Sequence, residues 1–236
     1  MRIFYKILSI LFVLVFITSV SVSLILGFSS TYISNNENSR RNTYYTASNY
    51  VNKSKYISIV SKSPYSAGEE GQIVEDNVSC TLNEETYTCQ MISTLYNEDS
   101  SVVRTSYFPG DGFKYTLAGN TKTKTVFTND SLVNYFKSLL AGVQTYLSFL
   151  AYSNTIIDAY NINYDTNVSF NFSKFTLNKE IMIDYGNEES KQKLRLEFNK
   201  KDYVTYIGFV DTDISLKINY KNNKLNIPSL VGYQEN

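Results

Sequence analysis

Two-residue alternation of apolar and polar side chains dominates the second half of this chain and limits what it can become. Leu194, Leu196 and Phe198 fall on one side of an extended backbone, with Lys193, Arg195 and Glu197 on the other. Ile214, Leu216, Ile218 and Tyr220 alternate in the same way with Ser215, Lys217 and Asn219. Val168, Phe170 and Phe172 alternate with Ser169, Asn171 and Ser173. Successive side chains of a strand point to opposite faces, so the pattern sets one face against a core and the other in water. That is the habit of an antiparallel sheet; parallel strands, covered on both faces, read as unbroken apolar runs. Strand spacings of about 10–12 residues fit a meander.

The first half follows the same period. Tyr56-Ile57-Ser58-Ile59 opens a strand, which a loop from Ser63-Pro64 to Gly71 closes. Further strands are expected at 72–81, 86–96, 101–108, 113–117 and 122–128. Pro109-Gly110-Asp111-Gly112 and Gly119-Asn120 supply the fixed and positive φ values of tight turns. A short helix is expected ahead of them, from Thr43 to about Lys53, with Tyr45, Tyr50 and Val51 on one side. A longer helix separates the halves. Asn129 or Asp130 can cap it, and Leu132, Phe136, Leu139, Val143, Tyr146 and Leu150 form one apolar stripe, widened by Leu140, Leu147 and Phe149. It ends near Ser153-Asn154, and no charged residue lies between Lys137 and Asp158. The expected fold is therefore α+β: a large, curved, half-barrel-like antiparallel sheet of about 11 strands, with the long helix on its concave apolar face.

An uncharged apolar run from Ile7 to Leu26 stands directly behind Arg2 and Lys6. At 1.5 Å per residue, roughly 20 residues span the ~30 Å hydrocarbon core of a bilayer. The chain thus divides into an anchor or signal segment (1–28), a polar linker (29–42) and a folded domain (43–236). Length favours a retained transmembrane helix. Ser19, Ser21 and Ser23 weaken its second half, and Gly27-Phe28-Ser29 offers a cleavage site, so a secreted product cut near Ser29 is the alternative. The leading basic residues place the N-terminus in the cytoplasm and the domain outside.

The two cysteines agree with that topology. Cys80 and Cys89 mirror each other about a turn between Glu84 and Glu85, which sets their sulfurs face to face in a hairpin. Disulfides persist in oxidising compartments.

Composition excludes several classes of function. Lys plus Arg and Asp plus Glu number 22 each, and no basic stripe is present to displace phosphate counterions, so nucleic acid is not an expected partner. Without histidine, Ser-His-Asp and Cys-His arrangements and His-based metal sites cannot form. There is no glycine-rich phosphate loop. Acidic pairs such as Glu75-Asp76 and Glu188-Glu189 read as solvated surface charge. Neither enzymatic activity, cofactor nor metal is expected.

Three stretches together resemble the LolA/LppX-like bacterial lipoprotein-carrier fold, a group of extracytoplasmic lipid-handling proteins. They are the helix leading into a strand at 50–60, the phrase Tyr107-Phe108-Pro109-Gly110-Asp111-Gly112-Phe113-Lys114-Tyr115, and a closing strand pair from Ile214 to Pro228 ending in Lys224-Leu225-Asn226-Ile227-Pro228. The resemblance covers about Thr43 to Ser229 and is architectural. It implies a lipid or acyl chain held between the sheet and its helices. Many relatives are anchored through a lipobox cysteine. No cysteine follows the apolar run here, so anchoring falls to the helix itself or is absent. Candidate cavity residues are Tyr146 and Leu150 on the helix, with Phe170, Phe172, Leu194, Leu196 and Phe198 on the strands. The expected function is binding of a hydrophobic ligand in that sheet–helix cavity. The alternative is a surface protein-interaction module with a solid core, acting through its outer tyrosine- and lysine-rich face.

Overall fold

The computed structural model describes residues 36–65, 72–83, 86–97, 100–171, 176–186, 190–221, 225 and 227–235. Strands β1 (Tyr56–Pro64), β2 (Ile73–Asn83), β3 (Thr86–Tyr96), β4 (Ser101–Phe108), β5 (Phe113–Ala118) and β6 (Thr121–Val126) form a first antiparallel meander. A second consists of β7 (Asn163–Asn171), β8 (Thr176–Tyr185), β9 (Gln192–Phe198), β10 (Val204–Phe209) and β11 (Ser215–Asn219). The meanders join through β1 and β11, which pair antiparallel from Ser58↔Asn219 to Lys62↔Ser215. A two-residue strand, β12 (Gln234–Glu235), adds to β6 in parallel. The outcome among the described residues is one open sheet of 12 strands, in the order β12-β6-β5-β4-β3-β2-β1-β11-β10-β9-β8-β7. The strand beyond the expected 11 is β12.

That order dictates where the helices lie. β6 and β7 stand near opposite edges, so the chain between them must cross the whole sheet. Helix α2 (Asn129–Leu147), a 3-10 turn (Ser148–Ala151) and α3 (Asn154–Ala159) make the crossing and cover one face. Leu132, Phe136, Val143, Leu147 and Leu150 point into the core, following the apolar stripe. The cap of α2 is Thr128 rather than Asn129 or Asp130: its Oγ1 accepts a hydrogen bond from the Ser131 amide at 3.2 Å.

Helix α1 (Glu37–Lys53) starts six positions before the expected Thr43. Asn36 caps it, accepting from the Ser39 amide at 3.1 Å, and Glu37 pairs with Arg41 one turn on at 3.1 Å. Its buried side is Arg40, Thr43, Ala47 and Val51, whereas Tyr45 is exposed. Thr43, Ala47 and Val51 are small enough to let the helix approach its neighbours closely, while Tyr44 packs at the margin of the core and Tyr50 on Tyr203. Among the described residues no helix is long and apolar enough to cross a membrane; the run Ile7–Leu26 lies outside them.

Rows of apolar residues run across the strands on the covered face. Ile57, Cys80, Cys89 and Phe108 are successive cross-strand neighbours, as are Ile181, Leu196, Ile207 and Leu216. Both rows belong to one core cluster, in which Leu216 is partly buried. Cys80 and Cys89 stand directly opposite in the β2–β3 register, 4.2 Å apart at Cα, and form a disulfide within that core.

The expected closing strand pair from Ile214 to Pro228 is corrected by the structure. β11 is a strand, but Leu225, Ile227 and Pro228 belong to none. β11 is already flanked by β10 and β1, so a hairpin partner would have no edge to join. The chain instead reaches the far side of the sheet and adds β12 to β6.

Candidate functional site

A local change of backbone direction at the end of α2 builds a cleft. Tyr152 and Ser153 are extended, and Ser153 restarts the helix by accepting from the Ile156 amide at 3.4 Å. After α3, Asn161 takes a left-handed φ of 50°, a conformation asparagine tolerates better than most residues. The Ile162 amide then donates to the Ile157 carbonyl at 2.9 Å, and the chain turns into β7. Phe149, Tyr152, Ile156, Tyr160, Ile162 and Tyr185 line the resulting cleft of about 640 Å³. That lies within the roughly 300–1,000 Å³ typical of small-molecule sites.

The walls are fixed by specific contacts. The Phe149 ring packs against Tyr152 at 5.3 Å and against Tyr185 at 4.8 Å between centroids. Behind it, the Tyr164 hydroxyl donates to the Phe149 carbonyl at 2.7 Å. The Tyr185 hydroxyl donates to Gln192 Oε1 at 2.8 Å, so its polar end is satisfied. Burial pushes the Tyr185 hydroxyl pKa up and that of Tyr164 to about 12, so both are uncharged at neutral pH. Ile162 is buried, while Ile156 is 39% and Tyr160 70% exposed at the mouth. Among the described residues no charged side chain lines the cleft. Chemically it suits an apolar ligand and offers no acid, base or nucleophile beyond tyrosine hydroxyls.

The start of α1 is bolted to this region. Glu37 Oε2 accepts from the Asn154 amide at 2.9 Å, and Arg40 Nη2 donates to Asn154 Oδ1 at 2.9 Å. Arg41 Nε donates to the Ala151 carbonyl at 3.4 Å. The Arg40 guanidinium also lies over the Tyr164 ring, 4.7 Å from its centroid.

The structure distributes the seven candidate cavity residues differently. Leu150, Leu194 and Leu196 are 0% exposed and Phe198 2%, all inside the packed core. Tyr146 is half-buried, edge-on to Phe209 at 5.7 Å, and lines a smaller cleft of about 250 Å³ with Gly142, Ile207 and Leu216. Phe170 lies in β7, paired with Leu177, and Phe172 falls outside the described residues. None of the five whose side chains are described lines the 640 Å³ cleft. Sequence reasoning missed its walls because they come from a helix break and a strand end rather than from one periodic face. The local signal was the aromatic cluster Phe149, Tyr152 and Tyr160, which outlasts the α2 stripe.

A second surface feature sits at the other end of α1. Tyr50 stacks on Tyr203 at 3.4 Å, with Tyr220 edge-on at 4.8 Å, beside a cleft of about 520 Å³ edged by Lys200, Lys201 and Lys221. Beneath α1, buried Lys179 donates to Thr43 Oγ1 at 3.1 Å, pairs with Asp202 and lies over the Phe198 ring. This lysine is fully engaged in holding α1 to β8.

No family model matches the chain, and no curated protein does. A solved structure does. The crystal structure of LprF from Mycobacterium bovis is similar with a TM-score of 0.47 and 9% identity, over 82% of this chain and 97% of that one. The likeness is a weak resemblance of fold.

Proposed function

We propose that this is a non-enzymatic, extracytoplasmic binding domain that holds a hydrophobic ligand, a lipid or acyl chain, in the cleft between α3 and the end of β8. The observation that carries the reading is the cleft itself: about 640 Å³, walled largely by aromatic and aliphatic side chains, with no charged one among the described residues. The buried Cys80–Cys89 disulfide and the apolar run Ile7–Leu26 behind Arg2 and Lys6 support a domain outside the cytoplasm. On this reading the run stays as a membrane anchor; cleavage near Ser29 would release the same domain.

One observation favours the rival reading, a surface interaction module. Leu150, Leu194, Leu196 and Phe198 are buried together in the core, which fills the central sheet–helix space around them with side chains. The carrier reading therefore stands on the peripheral cleft alone. Native mass spectrometry of the full-length protein, released from detergent micelles in the gas phase, separates the two. A lipid-bearing species is expected in the parent and should be lost in Ile156→Asp, which sets a charge in the apolar wall. A bare parent protein, or lipid retained equally by the variant, would remove the carrier reading and leave the surface module.

A further inference from the structure

We propose that the mouth of this cleft, the α3 tip bearing Ile156 and Tyr160, docks on the surface of the bilayer that holds the N-terminal apolar run. The inference rests on the reading above that Ile7–Leu26 is a membrane anchor and that the cleft takes a lipid. It adds where the cleft faces and the source of its ligand.

The first ground is position. The chain enters the domain at α1, and the first turn of α1 is fastened to the first residue of α3 through Glu37, Arg40 and Asn154. Arg41 adds a bond to Ala151, just before α3. α3 is short, so its tip is only about 10 Å along the helix from Asn154. Residues 27–35, between the apolar run and the cap of α1, reach roughly 30 Å even at full extension. An anchored chain therefore enters the domain on the same side as the cleft mouth, and the tether keeps that mouth within a domain's width of the lipid. Such a tether turns docking into an intramolecular event at high effective concentration.

The second ground is chemistry. Tyr160 and Ile156 are both exposed, and both are continuous with the apolar wall of the cleft. Tyrosine favours the bilayer interface, where its ring meets acyl chains and its hydroxyl stays hydrated. Asp158 is the only charged residue of α3, preceded by Ile156 and Ile157 and followed by Ala159 and Tyr160. The opposite edge of the sheet has a different character. There Lys122 and Lys124 alternate with threonines along β6, and Val126 is exposed beside them. A lipid leaving the bilayer at the α3 tip would enter the cleft without crossing water.

The chain contains no tryptophan, so a single introduced one reports its own surroundings. The test uses full-length Tyr160→Trp, with Ile156→Trp as a second reporter and Val126→Trp as the control on the far edge. Each is reconstituted in phosphatidylcholine vesicles with or without dibrominated acyl chains. Emission from Tyr160→Trp and Ile156→Trp should fall at least about twofold in the brominated vesicles, while Val126→Trp changes little, as expected of an interfacial aromatic against a solvated one. Equal quenching at all three positions, or none at the two reporters, overturns the inference. Blue-shifted emission at Tyr160→Trp without quenching also overturns it, because another protein surface then covers the tip. A protein that fails to float with the vesicles brings down the anchor and the docking together. Quenching at the tip in a protein that carries no lipid by mass spectrometry keeps the docking and removes the carrier reading.

Discussion

In the second meander, Ile181, Ile183, Leu194, Leu196, Phe198, Val204 and Ile207 are all at most 2% exposed, while Lys193 and Arg195 on the alternate face are exposed. The first meander lacks that contrast. Most side chains of β2 and β3 are half-buried whichever way they point, and β4 runs from exposed at Ser101 to buried at Phe108. Val102 and Val103, successive residues on opposite faces, are 58% and 49% exposed. The helix layer explains the difference. α1 meets β8 through Thr43 and Lys179, and α2 meets β10 through Tyr146 and Phe209; in the first meander Tyr135 and Phe136 of α2 pack on Tyr87, Met91 and Phe108, near where Ile57, Val78, Cys80 and Cys89 are buried. In the second meander burial depends on face; in the first it depends on distance along the strand. The disulfide sits at that covered end, where it clamps β2 to β3.

The comparison breaks most readily at Leu196. Truncation to alanine should cost about 2–5 kcal/mol, because its closely packed neighbours cannot collapse into the void. Val103→Ala in the first meander should stay within about 0.5 kcal/mol. Chemical denaturation of both variants is the measurement, and equal losses would show that the meanders are packed alike. Removing the disulfide by Cys80→Ala with Cys89→Ala comes next. Opening so short a loop should cost about 2–3 kcal/mol in the chain-entropy model. Hydrogen exchange should quicken in β2 and β3 and hold steady in β8 to β10; a uniform rise would show that the clamp serves the whole sheet.

The smallest effect is confined to alkaline pH. Tyr135, on α2 against Phe108 and Met91, and Tyr164, on β7, are both pushed up to about 12, first of all by burial. A hydroxyl with a raised folded pKa keeps its proton more tightly in the native state. Stability is therefore unaffected below about pH 10 and lost as pH rises from there through 12. The melting temperature should fall across that window, and Tyr135→Phe and Tyr164→Phe should each flatten the fall. A flattening by only one of them would show that the two meanders differ in how well they exclude water beneath the helices.

Much of this architecture can be read from short stretches of chain. The alternation from Lys193 to Phe198 assigns each side chain to its face. The mirrored positions of Cys80 and Cys89 place the disulfide, and the stripe from Leu132 to Leu150 lays α2 on the core. Even the bounds of β3 and β4 follow from the turn residues around them. Each of these depends on a period or a symmetry within some twenty residues, and the backbone carries that information wherever the segment packs.

What only the tertiary structure decided is which distant surfaces meet. α1 begins at Glu37 because Glu37 and Arg40 find Asn154, more than a hundred positions away, and Thr43 finds Lys179. Nothing in residues 29–42, poor in aliphatic side chains, announces that partner. β11 takes no partner from the chain that follows it because β10 and β1 occupy both its edges, and the cleft exists because α3 ends beside Tyr185 of β8. An edge or a cavity is what remains after all the other elements have paired. A residue pattern fixes which face of an element is buried, but the order in which surfaces are used up is a property of the whole chain.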